Sequence, residues 1–442
     1  MSEKNTQVSL KDLFKSWLPL AISWMMLSFE PQFFSSVISR FPNAEVNLAA
    51  YGNICWLIPV FIQSPIMLLQ AASAALCKDM ETFKKLRKFA YAMTIGLTLV
   101  HALVVLTPLY FFVTRVLFNL PEEVALAGRP GLILMLPWAG SITYRRFHQG
   151  ILIRFGHIKR MSFGSILRLL SDIVCVLILT RVEGRSGLLI ATTAQGFSVF
   201  LESAFIGIVT RPIIKKNLKK SNSGEIITWK EFIKYYTPLM VNSMLMILFG
   251  PIYSSALSRM PDPLSSLASW PVVNSFVGMI NNLGQACREV TLTFFRKKES
   301  YRNIRKFSLI VGSGAAGILA LFAFSPLLNW YLGSVVQMPE HLIPFARTAA
   351  ILMIPTGVTF AMAYMYTGIV SYSGKTSTLL TATLLQLAAI IVCLFFGILF
   401  WDNEGIYVTA AVSTLAAVVQ LAWLYFKNRD YLSKRLTVSE SV

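Results

Sequence analysis

Apolar runs long enough to cross a bilayer recur from one end of this 442-residue chain to the other, and that recurrence narrows the fold more than any motif does. A helix needs about 20 apolar residues to span the hydrocarbon core, where water cannot satisfy its backbone. The runs fall at roughly 13–39, 46–77, 86–113, 125–153, 161–180, 187–210, 230–257, 264–287, 305–328, 342–370, 377–400 and 405–426. The short alternating segments of an outer-membrane barrel are not seen. The expected fold class is therefore an all-α polytopic membrane protein with twelve transmembrane helices. Composition agrees: 14% of residues are charged, against about 25% in soluble chains.

A formal charge of +19 invites a nucleic-acid reading, so the placement of the charge decides. Of 40 Lys and Arg, 30 fall on one set of alternate loops and the termini, seven on the opposite loops, and three inside spans. That asymmetry is the positive-inside signature and puts both termini in the cytoplasm of an inner or plasma membrane. The basic excess is topological, and no nucleic-acid partner is expected. The runs KKNLKK and FRKKES meet anionic lipid headgroups most simply. No cleavable leader is expected, the first span serving as its own insertion signal. The five cysteines show no CxxC or His partner at ligand spacing, so buried structural thiols are expected and no metal or cofactor.

The two halves of the chain repeat each other. FKSWLPLAISWMMLSFEPQFFSSVISRFPNAEVNLAAYG matches FIKYYTPLMVNSMLMILFGPIYSSALSRMPDPLSSLASWP at an offset of 219, pairing Pro19 with Pro238, Arg40 with Arg259 and Pro42 with Pro261. LILMLPWAGSITYRRFHQGILIRFG matches AAILMIPTGVTFAMAYMYTGIVSYSG at 218, pairing Pro137 with Pro355, Gly150 with Gly368 and Gly156 with Gly374. A six-span unit is even, so both copies enter and leave on one side as parallel repeats. The expected organisation is an N-lobe over 1–210, a basic linker over 211–229, a C-lobe over 230–427 and a tail over 428–442. Parallel six-span repeats build transporters whose substrate lies between lobes. Prolines within spans serve either static packing or hinge motion.

Two six-span lobes, with an amphipathic first span carrying an internal proline, resemble the multidrug/oligosaccharide-lipid/polysaccharide exporter superfamily. LAAYGNICWLIPVFIQSPI, opening span 2, and HQGILIRFG, ending span 4, look most like the progressive ankylosis family within it. The resemblance implies a MATE-like two-lobe bundle, and export of anions such as pyrophosphate, citrate or nucleotide phosphates. The tail after Tyr431 is shorter than the long acidic tails of animal members.

Span 4 carries Arg145 and Arg146 eight or nine residues before its end near Arg154, which puts them roughly 12–14 Å inside the membrane at 1.5 Å per residue. An ionised side chain near the bilayer centre costs about 2.5–3.5 kcal/mol on insertion scales, so it needs a purpose or a partner. Arg168, Asp172 and Glu202 fall at similar depth, while Glu30 lies beyond the midpoint of span 1 and His101 mid-span 3. Ser141, Arg145, His148 and Gln149 form a polar stripe at helical spacing. At the repeat-related positions stand Ala363, Tyr364 and Tyr366 for Arg145, Arg146 and His148, and Gln386, Ile390 and Gln420 for Arg168, Asp172 and Glu202. Phe249 answers Glu30. One half keeps charges that its twin does without.

Two readings of this set stay open. In one, Arg168 pairs with Asp172, and Glu202 neutralises Arg145 or Arg146, giving a closed network close to neutral for stability. In the other, Arg145, Arg146 and Arg168, with His148 and Gln149, meet a small anionic substrate, because a guanidinium fork binds carboxylate or phosphate through two hydrogen bonds. Glu30, His101, Asp172 and Glu202 are then groups that orient the site or bind a coupling H+ or Na+. Asn242, Asn274, Asn281, Asn282 and Gln285 either line a facing wall or join helices. No Walker loop or nucleophile–base motif stands out, so an enzyme is not expected. The expected function is a monomeric, secondary-active, alternating-access exporter of an organic or phosphorylated anion. A lipid-linked oligosaccharide flippase, a MATE-type cation or drug antiporter coupled to H+ or Na+, and a membrane scaffold are the alternatives.

Overall fold

The computed structural model describes residues 9–77, 79–182, 184–218, 228–295, 300–373, 377–402 and 404–437. Among them every regular element is helical. Span 1 is Leu10–Ile38, with Pro19 and Pro31 inside it. Spans 3, 5, 6, 8, 9, 11 and 12 are Met80–Leu106, Ile158–Leu179, Gly187–Asn217, Pro263–Phe294, Ser300–Phe324, Ser377–Phe400 and Gly405–Thr437. Spans 4, 7 and 10 are each broken once, into Glu122–Leu134 and Leu136–Arg154, Trp229–Ile247 and Phe249–Leu257, and Ile343–Leu352 and Thr356–Ser373.

Span 2 is the most interrupted. Ala44–Ala50 is α-helical, Tyr51–Trp56 widens to a π-helix, Leu57–Ile62 returns to α, Ser64–Ile66 tightens to a 3-10 turn, and Leu69–Leu76 resumes the helix. The sequence supplies the cause at the second break: Pro65 has no N–H and its ring crowds the preceding turn. The repeat-related residue is Leu283, and span 8 runs through that point unbroken.

The chain is a multi-pass membrane protein. Among the described residues seven helices, those of spans 2, 3, 5, 6, 9, 11 and 12, are long and apolar enough to cross a membrane, and span 10, bent by 47°, makes an eighth if its two parts count as one span. The other four carry polar residues or a break: Glu30 and Gln32 in span 1, the arginines of span 4, the interruption of span 7 and the asparagines of span 8. Spans 3 and 5 bury only 22% of their apolar windows, against 61% for span 2. Leu99 and Leu103 of span 3, like Leu170 and Leu177 of span 5, are exposed as lipid-facing residues must be.

Two compact units emerge, residues 37–255 and residues 1–36 together with 256–442. Spans 1 and 7 have therefore changed places: each six-span repeat lends its first helix to the unit built from the other's remaining five. The boundary over 211–229 follows the repeat, whereas packing follows this exchange. The helix of span 6 runs to Asn217, and positions 219–227 of the linker lie outside the described residues, as do 296–299, Gly374, Lys375, the tail from 438 and the Asn242 side chain.

The exchange obeys the repeat to the level of single hydrogen bonds. Trp17 Nε1 of span 1 donates to the Leu283 carbonyl at 2.8 Å, and Tyr236 of span 7, at the equivalent position, donates its hydroxyl to the Pro65 carbonyl at 2.8 Å. Ser36 reaches Val335 O at 2.8 Å, and Ser255 reaches Leu117 O at 3.1 Å. Elsewhere Arg129 Nε bonds Val105 O at 3.1 Å, and Arg347 Nε bonds Ala323 O at 2.9 Å. Asn43 and Asp262, which precede spans 2 and 8, both hold left-handed backbone at φ 56° and 51°, a conformation that Asn and Asp tolerate better than other side chains.

Gly150 and Gly368 mark where spans 4 and 10 pass closest to spans 2 and 8. A Cβ on Gly150 would lie 2.4 Å from the Gln70 carbonyl oxygen and 2.5 Å from Ser73 Cβ. On Gly368 it would lie 2.7 Å from Thr291 Cβ and 2.9 Å from the Arg288 carbonyl oxygen. Small residues that let two backbones approach are a standard way to join helices in lipid.

Candidate functional site

The charged residues of the unit over 37–255 gather where spans 4, 5 and 6 pack on one another. Glu202 of span 6 is the focus and is fully buried. Arg145 Nη1 donates to its Oε2, Arg168 Nη1 stands 3.6 Å from the same oxygen, and Ser165 Oγ donates to Oε1 at 3.4 Å. Helical spacing explains the convergence: Ser165, Arg168 and Asp172 are i, i+3 and i+7 on one face of span 5. Neither oxygen of Asp172, 1% exposed, has a hydrogen-bond partner among the described residues. One carboxylate, Glu202, is thus shared between two guanidinium groups, and Arg168 also lies within electrostatic reach of Asp172.

Arg146 points elsewhere. Its Nη1 donates to the Met67 carbonyl at 2.9 Å and its Nη2 approaches Met67 Sδ at 3.3 Å. Two turns on, Arg154 Nη1 donates to the Ala74 carbonyl at 2.9 Å. Met67 lies in the second break of span 2 and Ala74 near the helix end at Leu76, places where carbonyls have no helical donor. Unbroken span 8 leaves no such carbonyl at the equivalent of Met67, and Tyr364 and Tyr372 stand where Arg146 and Arg154 would be. Part of the charge asymmetry between the halves therefore answers to backbone satisfaction. Arg145, Arg168 and Glu202 have no such explanation: at their counterparts, Ala363 is buried among apolar side chains and Gln386 and Gln420 are neutral.

Donor capacity remains in the cluster. Arg145 Nε and Arg146 Nε are both buried and have no hydrogen-bond partner among the described residues. In a dry interior an unsatisfied donor on a charged group costs more than about 1–3 kcal/mol, so its persistence asks for an acceptor.

The remaining candidates scatter. His148 is buried, with Nδ1 2.9 Å from the Tyr144 carbonyl and its ring 4.2 Å from that of Tyr144, which stacks on Tyr91 of span 3. That aromatic setting holds His148 by its ring and a single backbone contact. Gln149 is buried at 6% exposure. His101 is fully buried on span 3 against the Leu132 carbonyl, with neither ring nitrogen in a well-formed hydrogen bond. Glu30 is buried at 3% in the other compact unit.

Several polar residues escaped the sequence reading. Gln195 and Ser198 lie seven and four residues before Glu202 on the same face of span 6, and helical spacing alone would have found them. Ser198 donates to the Gln195 carbonyl at 3.1 Å, and Tyr51 of the π-helical turn bonds Gln195 Oε1 at 3.4 Å. Both flank Asp172. Arg288 and Glu289, just past the apolar run at 264–287, lie within the helix of span 8 and pair at 3.0 Å. In the same unit Asn281 Nδ2 donates to Thr356 Oγ1 at 2.8 Å, joining spans 8 and 10, and Asn282 donates to Ser28, joining spans 8 and 1.

Compared by sequence, the chain matches no family model and no curated protein. Compared by structure, it resembles membrane transporters and a lipid flippase along nearly its whole length. An inward-facing multidrug resistance MATE family transporter of the MOP superfamily aligns at TM-score 0.69 and 15% identity, over 95% of this chain and 98% of that one. The lipid II flippase MurJ, in an inward closed conformation, aligns at 0.68 and 15%, over 93% and 87%. A MOP superfamily transporter from Pyrococcus furiosus Vc1 (DSM3638), described as having a binding pocket of reverse polarity that suggests a different function, aligns at 0.63 and 16%, over 95% and 96%. The fold is that of these transporters: twelve transmembrane helices in two parallel six-helix repeats.

Proposed function

We propose that this chain is a secondary-active, alternating-access exporter of a small organic or phosphorylated anion. Both termini lie in the cytoplasm, and Arg145, Arg146 and Arg168 supply the positive charge that receives the cargo. The observation that carries the reading is the pair of buried Nε donors on adjacent arginines that have no hydrogen-bond partner among the described residues, beside a glutamate shared by two guanidinium groups. A cationic drug would be repelled by such a site, whereas a carboxylate or phosphate would fill the open donors. The fold shared with transporters supports transport rather than catalysis, and one structural neighbour is itself described as having a binding pocket of reverse polarity. The cargo classes remain citrate, pyrophosphate and nucleotide phosphates, as the progressive ankylosis resemblance implies. Asp172, with Tyr51 and Ser198 beside it, and Glu202 are the carboxylates of this cluster able to orient the site or bind a coupling H+ or Na+.

The likeness to a lipid II flippase favours a second reading, a lipid-linked pyrophosphate on the same guanidinium groups. Uptake into inside-out vesicles distinguishes the cases. Labelled citrate, pyrophosphate or nucleotide should accumulate saturably, and Arg145→Gln should lower uptake at least tenfold, since a charge-assisted hydrogen bond is worth about 1.5–3 kcal/mol. Arg145 is the cleaner target because Arg146 also holds the Met67 carbonyl. Unchanged uptake in Arg145→Gln removes the anion site. Competition by a cationic drug and by no anion establishes the antiporter, and movement of a lipid-linked substrate alone establishes the flippase.

A further inference from the structure

We propose that Glu202 is an internal counter-anion which the cargo must displace, and that displacement loads one proton onto Glu202, making the protein an anion–proton symporter. This rests on the anion-export reading above and names its coupling. Glu202 is fully buried and occupies Arg145 and Arg168 together, with Ser165 on its second oxygen. The guanidinium groups that would receive cargo thus already hold a carboxylate built into the protein.

An incoming anion faces a choice set by charge. Among the described residues of the packed spans, the charged groups facing Glu202 are Arg145 and Arg146 from span 4, and Arg168 and Asp172 from span 5. If cargo takes Arg145 and Arg168 while Glu202 stays ionised, two or more negative charges share a dry site with Asp172 close by. Like charges sharing a low-dielectric interior do not both stay ionised, and a buried charge stripped of its partner is strongly destabilising. Glu202 therefore gives up its place as a neutral acid. The proton comes from water on the side where the anion binds and bonds to the carboxylate oxygen that Arg145 releases. When the anion leaves on the other side, that proton leaves with it and Arg145 returns to the bare carboxylate. One proton moves in the direction of each anion, and no oxidant or further reactant takes part.

The second repeat fits the same rule. There Ala363 and Gln386 replace the two arginines and Gln420 replaces Glu202. Cations and counter-anion are present together or absent together, as expected of a set in which each answers the other.

The test reconstitutes full-length protein into proteoliposomes with a pH dye trapped inside, using citrate and inorganic pyrophosphate as probes. In the wild type, a gradient of either probe should drive protons in its own direction. Glu202→Gln keeps the shape and removes the charge. It should bind the probes about tenfold more tightly, equivalent to about 1.4 kcal/mol of relieved competition, and should carry them without protons. The double variant Arg145→Gln with Glu202→Gln preserves the pair's net charge, so it guards against a single variant that does not fold, and the weakened anion flux it keeps through Arg168 should carry no protons per anion moved. Wild-type anion transport without proton movement overturns the proposal while leaving anion export standing, as does proton coupling that survives in Glu202→Gln. Failure of the wild type to bind or move either probe overturns the export reading beneath it and this inference with it.

Discussion

Replacing Arg146 with alanine tests whether the break in span 2 is what retains this arginine. The Nη1 bond to the Met67 carbonyl, at 2.9 Å, is charge-assisted and worth about 1.5–3 kcal/mol. Its loss also leaves that carbonyl without its donor, a desolvation penalty of about 1–3 kcal/mol that overlaps the first term. The two together come to about 2–4 kcal/mol. A 150–250-residue domain loses about 2–4 °C of Tm per kcal/mol, and the larger entropy of a 442-residue chain halves that, so a fall of about 2–8 °C is expected. Intrinsic tryptophan fluorescence of detergent-purified protein reads the transition. Arg146→Lys keeps a charged donor for Met67 but loses the fork, so it should recover most of the stability while leaving transport impaired. Tyr364→Phe, at the equivalent position facing an unbroken helix, should change Tm by less than about 1 °C. An Arg146→Ala protein that melts within about 1 °C of wild type refutes the backbone role and leaves substrate binding as its only account.

Other predictions probe the repeat and the buried charges. Gly150→Ala and Gly368→Ala each force a Cβ against backbone of the adjacent span and should cost about 1–3 kcal/mol or more, whereas Gly314→Ala, with open space around it, should be neutral or stabilising in the same melting assay. Tyr236→Phe removes the hydroxyl that ties span 7 to the Pro65 carbonyl and should cost about 1 kcal/mol, read as a small fall in Tm; an unchanged Tm argues against that tie. Asp172→Asn replaces a buried carboxylate with no hydrogen-bond partner among the described residues, so thermal stability should hold or rise; a fall of several degrees would show that Ser198, Arg168 or a bound ion supports the native carboxylate. A cysteine placed at Lys216 should react with an impermeant thiol reagent only from the cytoplasmic side and one at Arg185 only from outside; the reverse pattern inverts the topology.

Much of the architecture is legible in the order of residues because bilayer physics leaves few choices. Apolar length names most of the spans. The offset of 218 to 219 between halves announced a repeat that reappears as matching bonds at Trp17 and Tyr236, Arg129 and Arg347. The depth arithmetic also put Arg145, Arg168 and Glu202 at one level, and they meet there. Helical spacing carried further than it was used, since Gln195 and Ser198 share the face of Glu202.

Other features required the packed molecule. Sequence spacing offered Asp172, one turn from Arg168, as the natural ion-pair partner, yet Glu202 on a different helix took both arginines. His148 shares the stripe of Arg145 by spacing, but its neighbour Tyr144 draws it into a stack with Tyr91 of span 3. Arg146 looked like a charge in search of a ligand until the carbonyl freed by the break at Pro65 supplied a partner. Periodicity says which residues share a face, not which helix that face will meet.

The sequence by itself determined an all-helical membrane protein built from two parallel copies of six spans, because hydrocarbon admits no other satisfied backbone for such runs. Tertiary structure alone decided that the first span of each copy packs with the other copy's remaining five, and that one buried glutamate holds two arginines. Both outcomes depend on which helix surfaces meet across distant parts of the chain, and a buried charge takes its partner from whichever neighbour that packing provides.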